Sequence, residues 1–151
     1  MITLGIDIGS SSIKVSLFDA SIGKSIDNAV YPADEMEIIS KHPDWAEQNP
    51  DVWMENFLKA LDLIKERHPQ EVKKVEAIGI TYQMHGLVVV DKQGNPLINA
   101  IIWCDSRAVD TGRKAFESIG SAFCLDHLLN SPGNFTASKL AWVKENEPEY
   151  Y

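Results

Sequence analysis

Residues 2–17 constrain this chain more than any other stretch. Ile2, Leu4, Ile6 and Ile8 alternate with Thr3, Gly5 and Asp7, the period of a strand with one apolar face. Ile13, Val15 and Leu17 repeat the alternation. Gly9-Ser10-Ser11-Ser12 lies between the two runs, and these residues tolerate a tight turn and offer hydrogen-bond donors. The pattern predicts a hairpin. Gly23-Lys24 makes the next turn, and Ser25 to Tyr31 reads as a third antiparallel strand ending at Pro32.

Residues 33–48 are mixed and polar with Pro43 inside them, which reads as an ordered loop. A helix should then begin after Asn49, a good N-cap, with Pro50 in the first helical position and Asp51 where the helix dipole favours a negative charge. Trp53, Phe57, Ala60, Leu61 and Ile64 form one apolar stripe that should pack on the sheet, and Pro69 ends the run. Val75 to Tyr82 and Leu87 to Asp91 read as strands, Gln93-Gly94-Asn95 as a turn, and Ile98 to Ile102 as a short strand. Beyond Asp105 the spacing turns helical, about Ala108 to Ser118 and, after Pro132-Gly133, Ala137 to Asn146. Trp53 and Trp142, on helices, are assigned to packing. Hairpin-joined strands followed by strands alternating with helices imply an α/β class whose mixed sheet has an antiparallel three-strand start and flanking helices.

A chain of 151 residues buries one substantial core and hardly two. The formal charge of -8 argues against a nucleic-acid partner, which would leave clustered Lys and Arg on one face. It does not argue against a nucleotide, because backbone N–H groups and a cation can supply a local positive field. Cys104 and Cys124 lack metal-ligand or C-x-x-C spacing and read as reduced thiols. Neither a secretory leader nor a run of apolar residues long enough to span a membrane is visible, so the expectation is a cytoplasmic protein with no membrane partner.

Three segments carry the chemistry. Asp7-Ile8-Gly9-Ser10-Ser11-Ser12-Ile13-Lys14, flanked by apolar strands, resembles the first phosphate motif of actin, hexokinases, heat-shock ATPases and the FGGY carbohydrate kinases. Such a hairpin can aim N–H groups and hydroxyls at a phosphate, with Gly9 allowing close approach and Lys14 adding a compact charge. The same D-x-G-S string is also a common turn, in which Lys14 would be a solvated strand residue. Neither a P-loop nor a Rossmann fingerprint competes for the role. Gln83-Met84-His85-Gly86 is similar to the sugar-contact peptide of the xylulokinase members of the FGGY family. An imidazole there can donate to or accept from a sugar hydroxyl, although a lone loop histidine is more often a satisfied structural residue. Trp103-Cys104-Asp105-Ser106-Arg107 resembles the family's W-x-D-x-R segment, in which Trp103 would wall the sugar's C–H face, Asp105 would accept hydroxyl hydrogen bonds, and Arg107 would brace Asp105.

The peptides His42-Pro43-Asp44-Trp45-Ala46-Glu47-Gln48-Asn49-Pro50 and Phe135-Thr136-Ala137-Ser138-Lys139-Leu140 extend the resemblance along essentially the whole chain, and Asn134 departs from the small or apolar residue expected there. The resemblance implies a ribonuclease H-like domain of the actin-like ATPase type. Residues 1–151 would be part of the amino-terminal domain, with its remainder and a second domain elsewhere. It implies ATP-phosphate binding by Asp7, Gly9, Ser10, Ser11, Ser12 and Lys14, with Asp7 holding Mg2+ through water. Sugar binding would fall to Gln83, Met84, His85, Gly86, Trp103 and Asp105. The general-base Asp is expected beyond residue 151, so these residues alone should be inactive. The implied reaction converts D-xylulose to D-xylulose 5-phosphate. Gluconate or another ketose or polyol as acceptor, and a non-catalytic sugar- or nucleotide-binding module, stay open, as does a homodimer.

Overall fold

A computed structural model describes residues 1–151. In chain order the elements are β1 (Ile2–Ile8), β2 (Ile13–Asp19), β3 (Lys24–Tyr31), β4 (Glu47–Gln48), α1 (Pro50–Arg67), α2 (Pro69–Val72), β5 (Val75–Tyr82), β6 (Ala100–Ile101), α3 (Val109–Ile119), α4 (Ser121–His127) and α5 (Thr136–Asn146), with 3-10 turns at Pro132–Asn134 and Pro148–Tyr150. They sort into two compact units in place of the single core expected: Met1–Glu37 with Asp51–Gln83, and Ile38–Pro50 with Met84–Tyr151.

In the first unit the alternation becomes a four-stranded sheet of order β3-β2-β1-β5. β1 and β2 pair antiparallel from Ile2↔Asp19 to Ile8↔Ile13, and β5 runs parallel to β1. Leu4, Ile6, Ile13, Val15 and Leu17 turn inward, and Ala60 and Ile64 of α1 join them, with Trp53, Phe57 and Leu61 packed at the flanks. Each fully buried aliphatic here contributes about 1.5–3 kcal/mol relative to exposure. Asp51 in the first turn of α1 and Lys65 and Arg67 in its last suit the helix dipole. Pro69 stops α1 as expected, yet the chain re-enters helix there for one turn, since proline is well suited to a first helical position. β5 is the outer strand and is exposed almost throughout.

The second unit departs further from the sequence pattern. The strands expected at 87–91 and 98–102 shrink to the bridges Leu87↔Ile101 and Val90↔Pro96 and to two-residue β6. Pro96 has no N–H to extend a ladder. Asp91, besides, takes the N–H groups of Gln93 and Asn95 and the Asn95 amide, drawing the turn tight around Gly94, whose φ is +87°. Conversely, the polar loop yields a strand, because β4 pairs antiparallel with β6. Helix α4 was not expected at all.

What permits Glu47 to be buried is Arg107, whose side chain is only 2% exposed. Its Nη2 donates to Glu47 Oε1 and to Asp105 Oδ2, both at 2.8 Å, and its Nε donates to Asp105 at 3.0 Å. The guanidinium lies 3.7 Å from the ring centre of Trp45 and 5.2 Å from that of Trp142, within cation–π range. Lys41 and Asn99 complete the shell of Glu47. Burial by itself would raise the Glu47 carboxyl; the hydrogen bonds from Arg107, Lys41 and Asn99, with the Arg107 charge, overcome it and hold the group below its ordinary 4.5.

Two outcomes follow from this packing. A Cβ on Gly112 of α3 would lie 2.4 Å from the Gly133 Cα, where only backbone could yield, so Gly112→Ala should cost about 1–3 kcal/mol in thermal or urea unfolding. The unfolded chain binds a proton at Glu47 at higher pH than the folded one, so this stabilisation is full above about pH 4.5 and fades as pH falls through the depressed folded value. Urea unfolding across pH should therefore show the stability gap between wild type and Glu47→Gln widest near neutrality and narrowing in acid.

Candidate functional site

The tip of the β1–β2 hairpin is closed by its own backbone. Gly9 N–H donates to Ser12 O at 3.2 Å, and a Cβ on Gly9 would sit 2.9 Å from that oxygen, so the turn itself requires glycine. Met36 N–H, in the chain that follows β3, donates to Ser11 O at 2.8 Å. Asp7 and Lys14 are register partners, and Lys14 Nζ lies 3.1 Å from Asp7 Oδ2 with both side chains partly exposed. An exposed pair of this kind is worth about 0–1 kcal/mol, so the ammonium can move to another anion at little cost. Ser11 and Ser12 line a shallow cleft of about 90 Å³ with Val30, Pro32, Ala33, Asp34 and Glu35, room for a phosphate group and too small for a whole nucleotide. Asp34 and Glu35 put two carboxylates in the lining that the sequence reading left in a featureless loop. No group of three or more His, Cys, Asp or Glu side chains gathers to grip a metal directly. The donors present, the Asp7 carboxylate and the serine hydroxyls, fit a hydrated cation accompanying a phosphate.

The chain leaves the first unit at Gln83, whose N–H donates to Ile8 O at 3.1 Å, and Met84 opens the second stretch of the other unit. There Met84 is 69% and Trp103 49% exposed. His85 adopts a left-handed φ of +62°, unusual for a residue with a side chain, and its ring stacks on Phe135 with centres 4.7 Å apart. The loops carrying these side chains are held from behind. Thr136 Oγ1 donates to Gly86 O at 3.0 Å, the Asn134 amide to Trp103 O, and Lys139 Nζ to His85 O at 2.7 Å and Ile102 O at 2.9 Å. Lys139 is wholly buried. Burial pushes its ammonium below the ordinary value, and the Asp105 charge pulls it partly back.

Asp105, the residue expected to accept hydroxyl hydrogen bonds, has no exposed surface, and its oxygens accept from Arg107 and, at 2.6 Å, from Ala46 N–H. The bracing expected of Arg107 thus runs in both directions. The sequence reading assigned no chemistry to Lys139 or Thr136. The available signal was a lysine four residues before Val143, on the buried side of a helix.

The family model for the N-terminal domain of the FGGY family of carbohydrate kinases matches residues 2–151. The xylulose kinase of Staphylococcus epidermidis is 33% identical over 150 residues, covering 99% of this chain and 29% of that protein. The xylulose kinase of Bacillus subtilis is 34% identical over 155 residues, covering 98% and 29%. The crystal structure of a xyloylose (xylulose) kinase from Brucella ovis superposes with a TM-score of 0.86 at 31% identity, over 99% of this chain and 30% of that one. The chain thus spans less than a third of the length of the relatives it matches. Its sheet, with the antiparallel start and the parallel β5, is that of the actin-like ATPase fold of these kinases. On a match that runs from Ile2 to Tyr151, this chain belongs to the FGGY family of carbohydrate kinases.

Proposed function

We propose that the protein carrying this chain transfers phosphate from ATP to a hydroxyl of a ketopentose, D-xylulose before others, in the cytoplasm. The observation that carries the reading is the pairing of an exposed Met84 and Trp103 with a His85 held in a left-handed backbone and stacked on Phe135. A left-handed residue with a side chain costs on the order of 1–3 kcal/mol, and such strain tends to be kept where it presents a side chain for use. Similarity to xylulose kinases supports D-xylulose as the sugar.

In this reading Trp103 faces the sugar's C–H surface, and the His85 imidazole exchanges a hydrogen bond with a hydroxyl. Gly86 leaves space beside it. Asp105 serves this set indirectly by holding Arg107. The Ser10, Ser11 and Ser12 hydroxyls and nearby N–H groups donate to phosphate oxygens at the hairpin whose turn Gly9 makes possible. Lys14 leaves Asp7 for the phosphate, which frees the Asp7 carboxylate for the water shell of a magnesium ion. Mg-ATP supplies the phosphoryl group, and positioning with charge stabilisation performs most of the catalysis in such transfers. The base that takes the hydroxyl proton is assigned to an Asp beyond residue 151, within the two-thirds of the relatives' length that this chain does not span.

The test is steady-state turnover by the full-length protein, read by ADP release, with D-xylulose set against D-gluconate and glycerol. D-xylulose should give the highest kcat/KM. Preference for gluconate would overturn the sugar, and inertness toward all three would overturn the kinase reading. In the same assay Lys14→Ala should raise the KM for ATP about tenfold, the value of one charge-assisted hydrogen bond, and leave the sugar KM alone. His85→Ala should do the reverse.

A further inference from the structure

Residues 134–139 bond to the main chain of two loops that are far apart in sequence. The carbonyls of His85, Gly86, Ile102 and Trp103 all accept from Asn134, Thr136 or Lys139, and the Phe135 ring lies flat on the His85 imidazole. Lys139 reaches both loops from one atom, its Nζ being shared between His85 O and Ile102 O.

Packing does not explain these side chains. A buried ammonium is costly to desolvate, and Met would fill nearly the same volume without that cost. The hydroxyl of Thr136, the first residue of α5, is turned to Gly86, and the helix has no side-chain cap at Phe135. Two stabilising options are forgone at adjacent turns of one helix, and both donors go to the same loop pair. The left-handed His85 is the residue whose carbonyl Lys139 grips most closely.

The geometry points to Lys139, assisted by Thr136 and Asn134, as a positioning residue that sets His85 and Trp103 for the sugar without touching it. This rests on the reading that these two side chains meet the sugar. Lys139 acts through carbonyl oxygens, so its effect should appear on the sugar and not on ATP.

Full-length Lys139→Met and Thr136→Val test it. For Lys139→Met the KM for D-xylulose should rise about 10–100-fold, the usual cost of loosening a supporting shell by an ångström, while the KM for ATP stays within about twofold. Thr136→Val, at an exposed side chain, should raise the sugar KM about 3–10-fold by the same reasoning. Amide hydrogen exchange without substrate should quicken over 84–87 and 102–105 and not elsewhere. A folded Lys139→Met with unchanged sugar KM and unchanged exchange overturns the assignment. If that variant does not fold, Thr136→Val decides: equal changes in the two KM values, or none, overturn it. A wild-type protein that phosphorylates no sugar defeats the kinase reading alone, and the exchange comparison still decides whether residues 134–139 order these loops.

Discussion

The second unit depends on one guanidinium. Arg107 is almost without solvent contact, faces two carboxylates and lies against Trp45 and Trp142. Through these partners it joins three pieces of chain that share no periodic pattern: the segment before β4, the turn before α3, and α5. Two buried carboxylates against one guanidinium would leave a net charge, which Lys41 and the buried Lys139 offset. Removing the guanidinium would strand the carboxylates, a defect worth about 3–5 kcal/mol when a buried pair is broken. An apolar cluster of equal volume would hold the pieces together as well, but it would not dictate which carboxylate meets which donor. Glu47, a member of the ion cluster, is also the residue of β4 paired with Ile101 of β6.

The first unit is built on another logic. Its sheet is held by inward aliphatic residues with α1 behind them, and the Asp7–Lys14 pair near the hairpin tip is partly exposed, where water screens it. The apolar base is firm, whereas the pair at the tip adds at most about 1 kcal/mol and can be exchanged at little cost. In the second unit, by contrast, charge lies inside, while Met84 and Trp103 are exposed.

These two logics explain what could be read from the sequence. β1, β2, β5 and α1 were legible within a residue or two because their burial follows local period: Ile13, Val15 and Leu17 face one way whatever happens elsewhere. Glu47 and Gln48 were not, since nothing local says that two polar residues will be buried; the partner of Glu47 lies 60 positions on in Arg107. The strands expected from Leu87 and Ile98 failed because apolar alternation does not reveal that Asp91 ties off the turn or that Pro96 ends the ladder. Of the residues that resemblance pointed to, Met84, His85 and Trp103 are exposed and Asp105 is buried. Lys139 escaped notice because a lysine on a helix is ordinarily solvent-facing.

The uncapped start of α5 has a consequence for local order. Helix ends fray with free energies far below that of global unfolding, and this end lacks the side-chain cap that would resist it. Its first turn carries Thr136 and Lys139, so each fraying event releases the Gly86 and His85 carbonyls together. Fraying of this one turn would loosen the loops that carry His85 and Trp103 while leaving both hydrophobic cores in place. The order of two loops distant in sequence is accordingly tied to the first turn of one helix.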